Sequence, residues 1–428
     1  MRVAAQAGAN ATIPGMTLTL TPGCAPRAGT AASIPPQTVS TPRPHTPPPG
    51  VVISHQPSGN GLFVGSPAIA NLQDGALVAA HDFFGPESGE FQCGTTLIFR
   101  SEDRGATWTQ TARLDKAFWC NLFQHRGAVW LLGVTHHHGL VCLRRSDDGG
   151  RTWSEPALLT ASGQYHTGPM PVAIHNGRLW RAIEDASSGH QWGRRYNPCM
   201  LSAAEDSDLM DPASWTLDRM GTQRPEWLGG LFGGWLEGNA VVLPATVPRS
   251  AGASATDDDA SQPVAAVGNL LRVEYPPGGK AALLRPGTDK VEWIELPGGS
   301  TKFTVRHDSV SGLYWTLANA VPARYSGTKD NHASIRNTLM LLCSSNLRQW
   351  TRRAVILQHP DVHRHGFQYA DWHFDGNDMI AAVRTAWEDA TGGAPNEHDA
   401  NYLTFHRIKD FRALENDCDG ESFCVTNE

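Results

Sequence analysis

Residues 101–108 read Ser-Glu-Asp-Arg-Gly-Ala-Thr-Trp, and residues 146–153 read Ser-Asp-Asp-Gly-Gly-Arg-Thr-Trp. Both fit S-x-D-x-G-x-T-W, a set of residue types that describes a self-closed turn. Asp103 and Asp148 can accept from nearby backbone N–H groups, Gly105 and Gly150 tolerate a turn conformation, and Trp108 and Trp153 can bury a ring beneath the hairpin. Two copies, each after a short apolar stretch, mean a repeated hairpin and hence a repeat fold.

Working outward, six segments share one plan of apolar strand, Gly- or Asp-containing turn and second apolar strand. They are 65–82, 121–134, 168–184, 234–245, 301–319 and 369–384. Their turns are Gln73-Asp74-Gly75, His125-Arg126-Gly127, His175-Asn176-Gly177, Glu237-Gly238-Asn239, Ser309-Val310-Ser311-Gly312 and Asp375-Gly376-Asn377-Asp378. Residues 338–350, ending at Trp350, repeat the opening pattern without its Asp and Gly, and residues 200–204 lead similarly to Trp215. Each unit is therefore a four-stranded sheet, and such sheets repeated radially make an all-β propeller. The competing architecture is a β-sandwich with chance repeats. Six units are countable; a seventh would come from residues 266–295 or from the two termini, and 250–265 reads as a loose loop.

With 428 residues, 40% of them hydrophobic, the chain can bury a sizeable core, and a net charge of -7 argues against nucleic acid as a partner. The 43 Gly and 29 Pro suit many tight turns, and the 14 Trp suit core packing or sugar binding. No run approaches the roughly 20 apolar residues of a membrane span. Residues 1–50 are dominated by Ala, Thr and Pro, with no basic start followed by an apolar stretch, so they read as a disordered leader or a mis-assigned start without an ordinary signal peptide. Residues 51–412 form the propeller, and 413–428 a polar tail in which Cys418 and Cys424 are close enough to pair. None of the eight cysteines stands in C-x-x-C, so a zinc ribbon is not expected; disulfides and free buried thiols both fit.

In a propeller, the start of the first strand and the end of the second converge on one mouth. Those positions offer Ser66, Asn121, His166, Asn239, Lys302 and Gln368, with His81, His136, Glu184, Asn319 and Arg384. So many polar groups at strand ends suggest a polar funnel, although strand capping would use the same residue types. His81 is the sharpest candidate, because an imidazole at a mouth can serve as acid or base near neutral pH. His166 has a similar claim, with the Tyr165 phenol beside it. Arg178, Arg181 and Arg384 could grip a carboxylate. His136-His137-His138 puts at most His136 and His138 on one face, which is poor for a metal.

The repeated turn is the Asp-box, and on a propeller it resembles the sialidases. Their first inner strand carries an Arg in Arg-Ile-Pro; the matching stretch here, Phe63-Val64-Gly65-Ser66-Pro67-Ala68, has no Arg. A second resemblance covers roughly residues 58–412. It rests on Gly65-Ser66-Pro67 with Ala80-His81-Asp82-Phe83-Phe84-Gly85, on Asn121-Leu122-Phe123, Arg224-Pro225-Glu226-Trp227, Glu237-Gly238-Asn239 and Thr301-Lys302-Phe303, and on His365-Gly366-Phe367-Gln368-Tyr369 and residues 398–407. These stretches look like carbohydrate-active propellers that cleave rhamnose from glucuronate on arabinogalactan and gum side chains, as lyases or as α-L-rhamnosidases. The resemblance implies seven blades in preference to six, export to the periplasm or medium, and a monomer acting on a uronate-containing oligosaccharide or polysaccharide. It implies no required cofactor, with a structural calcium or zinc ion left open, and makes His81 the counterpart of the hydrolase branch's catalytic His.

Elimination would need the uronate carboxylate neutralised and the C5 proton removed. His81 or His166 is the expected base, Tyr165 or Tyr369 the acid, with Arg178, Arg384 or Asn121 on the carboxylate and Lys302 and Gln368 as further binding groups. Hydrolysis ordinarily uses two carboxylates, and Glu184 and Glu237 are the good inner candidates. Without an obvious pair, elimination is favoured, or an unusual His-dependent hydrolysis. A third reading, of another class, is a sugar-binding propeller without activity.

Overall fold

The computed structural model describes residues 45–244, 266–288 and 290–414. Residues 1–44 of the expected leader, the whole of the expected loop at 250–265, and the Cys418–Cys424 pair lie outside them. Strands dominate, and no described helix is long and apolar enough to cross a membrane.

The strands form six antiparallel sheets arranged as the blades of a propeller. Blade 1 runs from Phe63–Val64 and Ala68–Asn71 through Leu77–Phe84 and Thr95–Ser101 to Thr109–Asp115. Blade 2 spans 118–158, blade 3 spans 165–219, and blade 5 spans 304–358. Blade 4 starts at the inner strand Gly234–Val242 and continues after the undescribed stretch with Val267–Glu274, Lys280–Leu284 and Val291–Glu295. Blade 6 has Gly366–Asp375, Asp378–Ala386 and Tyr402–Ile408, and its outer strand is Val51–His55 from the other end of the chain.

This corrects the expectation of seven blades. Residues 266–295 are the three outer strands of blade 4, and the two termini complete blade 6. The segment 234–245 is accordingly no hairpin: Glu237-Gly238 is a bulge inside one strand, where two residues oppose Leu271 alone.

Six clusters of buried side chains lie one between each pair of adjacent blades. Trp235, Trp315 and Trp372 are almost fully buried in them. At about 1.5–3 kcal/mol for each large apolar side chain removed from water, these seams hold the ring together.

The two Asp-boxes close as their residue types require. Asp103 accepts from the Thr107 N–H (2.8 Å) and hydroxyl (2.6 Å), Ser101 Oγ accepts from Gly105 N, and Trp108 Nε1 donates to Gly105 O. The bonds repeat around Asp148. Both rings pack onto the preceding blade, Trp108 against Phe405 and Trp153 near Val78. The degenerate copy keeps the turn as well: Asn346 replaces the Asp, and Leu347 stands at φ 64 in place of Gly.

Candidate active site

Three inner strands carry the same irregularity at the same height. In blades 2, 4 and 6 two residues bulge opposite one, and the first of them, Trp119, Glu237 or Tyr369, has a positive φ of 52°, 53° or 57°. Non-glycine residues rarely adopt that conformation, and where the surrounding structure enforces it, function is a common reason. The second bulged residue is small, Cys120, Gly238 or Ala370, and Asn121, Asn239 or Asp371 follows it. Asn239 Oδ1 accepts from Val305 N (2.8 Å) and Asp371 Oδ2 from Ile69 N (3.0 Å), tying the bulged strand to the next blade.

Tyr369 Oη donates to Glu237 Oε1 at 2.7 Å. Arg272 Nη1 lies 2.9 Å from Glu237 Oε2 and 3.3 Å from Tyr369 Oη, while its Nη2 pairs with Glu274. Burial is the largest influence on Glu237 and opposes its ionisation, but the Arg272 guanidinium and the hydrogen bonds from Tyr369 and Arg272 act with the other nearby charge to hold the carboxyl below its usual pKa. Burial, and after it the Glu237 charge, pushes the Tyr369 phenol up. The pair is a neutral phenol donating to an ionised carboxylate.

Beside them stand two buried guanidiniums of a different kind. Arg336 binds Ala333 O and Gln368 Oε1; Arg384 binds His398 O, and its Nε is buried without a partner. Neither forms an ion pair with a carboxylate among the described residues. Both face the Tyr369 ring, with Cζ 5.9 and 5.1 Å from its centroid, and Arg384 also covers Phe84 at 4.5 Å. Burial lowers both pKa values, Arg384 to about 10, yet each stays charged near neutrality. Two buried cations without counterions make a site for an anion.

Of these groups Tyr369 and Arg384 line a cavity of about 260 Å³, together with Gly65, Ser66, Asp82, Phe84, Glu90, Phe118, Trp119, His137, Trp192 and His398. Asp82 accepts from Ser66 N (2.6 Å) and Trp119 N (2.5 Å). Its burial raises its pKa to about 7 despite those bonds, so it carries a proton through mildly acidic pH. Gly65 is required there, since a Cβ would come 1.7 Å from Asp82 Oδ1. A larger cavity of about 600 Å³ opens at the opposite ends of the inner strands, between Val172, Val241, Val305 and His373.

The structure brings Tyr369 and Arg384 into the mouth and disperses most other expected residues. His81 does not face it: the ring is fully buried, its Nδ1 contacts Asp82 O at 2.9 Å and its Nε2 contacts Ser54 Oγ at 3.0 Å, and burial lowers its pKa to about 4. Tyr165 packs in the seam between blades 2 and 3. His166 lies behind the aromatic wall, 2.8 Å from Glu184 and against Trp119 and Trp192. Arg178 sits at the far end of its strand, bound to Ser202 and stacked near Trp180. Asn121 accepts from the buried Arg181 (2.8 Å). Lys302, its pKa lowered by burial to about 8, donates to Tyr369 O and Ala370 O and so braces the Tyr369 bulge. Gln368 bridges Arg336 to Glu397 O and His398 O. Within the triple-His stretch, His137 lines the cavity and His138 contacts Tyr196 Oη at 3.0 Å. Sequence reasoning missed Asp82, Arg272, Arg336, Trp119 and Trp192; the recurring large-small-Asn/Asp step at the bulges was a signal for one of them, Trp119.

No family model and no curated protein sequence matches the chain. Solved structures do resemble it. A Penicillium chrysogenum alpha-L-arabinanase complexed with arabinobiose superimposes with a TM-score of 0.52 at 13% identity, over 85% of this chain and 98% of that one. A leech intramolecular trans-sialidase gives 0.51 at 10% identity, over 85% of this chain and 70% of that one. A Dyadobacter fermentans protein of unknown function gives 0.52 at 12%, over 84% and 97%. At these identities the likeness establishes the fold, a six-bladed sialidase-like propeller.

Proposed function

We propose that the protein is a glycoside hydrolase that cleaves the bond to a carboxylate-bearing sugar, with Tyr369 as nucleophile. The observation that carries this reading is the conjunction of Tyr369 on Glu237 with Arg384 at one cavity, and with Arg336 against the Tyr369 ring, the two guanidiniums buried and without a carboxylate partner among the described residues. The arginines receive the sugar carboxylate. Glu237 takes the phenol proton as Tyr369 Oη attacks the anomeric carbon, Asp82 protonates the leaving oxygen, and water later releases the sugar from the tyrosyl intermediate. Trp119, Trp192 and Phe84 supply apolar faces for the sugar rings. Solved neighbours named as an arabinanase and a trans-sialidase support carbohydrate chemistry on this scaffold.

The second reading is β-elimination at a rhamnose–glucuronate linkage, which the stretches around Gly65, Thr301 and His365 suggest. The arginine pair favours it too, because a neutralised carboxylate acidifies the C5 proton. Proton transfer to Glu237 turns Tyr369 into a phenolate that could attack carbon or take a proton from it, so the absorbance of the product decides between the two readings.

The test is incubation with gum arabic, a rhamnosyl-glucuronate disaccharide, a nitrophenyl β-glucuronide and a sialyl-lactose, following free sugar and ultraviolet absorbance together. Sugar release without an unsaturated-uronate band supports hydrolysis. Release with that band establishes elimination, and tight binding without release of any sugar returns the protein to the lectins.

A further inference from the structure

We propose that His359, His365 and Glu388 bind a divalent metal of the zinc class on the rim between blades 5 and 6. The site is separate from the cavity above and independent of the reading given to it.

Each of the three residues offers a ligand atom within 4.8 Å of the other two, the one such triad among the described residues. His365 is 5% exposed. Its Nδ1 lies 3.2 Å from Asp361 Oδ2, so that nitrogen carries the hydrogen and the lone pair of Nε2 points away. This carboxylate–histidine arrangement is the usual support of a metal-bound imidazole. Nε2 is buried without a hydrogen-bond partner, although Glu388 Oε1 is 3.2 Å away, and Glu388 Oε2 is likewise buried and unpartnered. A buried imidazole nitrogen and a buried oxygen of the carboxylate beside it, both unpartnered, are costly unless something takes both.

Ligand atoms at about 2.0–2.1 Å from a tetrahedral zinc stand roughly 3.3 Å apart, close to the observed Nε2–Oε1 separation. Two imidazoles and one carboxylate suit zinc and its neighbours, whereas calcium and magnesium favour all-oxygen shells. The His359 ring stacks on His365 at 3.6 Å and 22°, and its Nδ1 accepts from Asp361 N. A metal must lie in both ring planes, so binding swings the half-buried His359 ring out of that stack. The bound ion would pin the 359–365 connection to the loop after Ala386, whose Glu397 O and His398 O hold Gln368 and Arg384.

The experiment is calorimetric titration of the chelator-treated full chain with zinc sulfate, alongside a calcium chloride titration and circular dichroism of every variant. We expect one equivalent of zinc bound with a rise in Tm, no heat from calcium, and loss of the zinc heat in Glu388→Gln and His365→Asn. Glu388 is half-exposed, so the first of these variants keeps its fold. The double variant His136→Asn/His138→Asn should retain the heat. Absence of zinc binding, binding unchanged in Glu388→Gln, loss only in the double variant, or calcium binding as tightly as zinc would each overturn the assignment.

Discussion

Tyr369 Oη and Glu237 Oε1 meet at 2.7 Å across 132 positions of sequence, each presented by the same two-for-one bulge on a different inner strand. A bulge turns a side chain that would face a neighbouring blade toward the axis. The two blades thereby bring together a phenol and the carboxylate it donates to, and Arg272 helps to keep that carboxylate ionised.

Glu237→Gln preserves shape and removes the base. General-base contributions run about 10²–10⁴-fold. We expect kcat to fall by at least about 100-fold with KM little changed, checked by steady-state kinetics on whichever substrate shows turnover. A loss within tenfold would remove Glu237 from the chemistry.

Arg384→Gln and Arg336→Gln should each cost about 1.5–3 kcal/mol of transition-state binding, the worth of a charged hydrogen bond, or roughly 10- to 150-fold in kcat/KM. Against a substrate analogue whose carboxylate is reduced to a hydroxymethyl group, the same substitutions should change little. Equal losses on both substrates would show that the arginines do not read the carboxylate.

In the proposed reaction Asp82 sets the pH dependence. As the acid it works while protonated, so kcat/KM should decline as pH rises through about 7. Its folded pKa stands above the ordinary 3.8, so its contribution to stability is complete below 3.8 and is lost as pH climbs through about 7. Asp82→Asn should therefore abolish the alkaline decline in rate and flatten the fall in Tm over the same window. It should spare substrates with an activated nitrophenol leaving group. A pH–rate profile that Asp82→Asn leaves unshifted would refute the role.

The neighbouring His81 is predicted to be structural. Its ring is fully buried with both nitrogens occupied, so His81→Ala should destabilise the protein by about 2–4 kcal/mol in denaturant titration. Activity per folded molecule should stay within a few-fold of wild type. Complete loss of turnover in a fully folded variant would restore His81 to the site.

His81 and Asp82 show where sequence reading reached its limit. The stretch around them reads as part of a site, but adjacent strand residues face opposite sides, and nothing in one sequence says which side is the mouth. Parity separates Tyr165 from His166 in the same way. The Asp-boxes were legible because their bonds are local, within a few residues of Asp103 and Asp148. Blade count was not, because Val51–His55 pairs with Tyr402–Ile408 across the whole chain, and residues 243–266 separate the first two strands of blade 4 in sequence. Glu237-Gly238-Asn239 has the composition of a turn and forms a bulge, since only its pairing with Arg272 and Leu270 on the next strand distinguishes the two.

The most direct test of the account is intact-protein and peptide mass spectrometry after rapid quenching with fluorinated donors of carboxylated sugars, which slow release of a glycosyl-enzyme. The account predicts a stoichiometric glycosyl adduct that maps to Tyr369 and is absent from Tyr369→Phe. Steady turnover with no adduct, accompanied by an unsaturated-uronate absorbance, would contradict it and assign the same arginine-lined mouth to elimination.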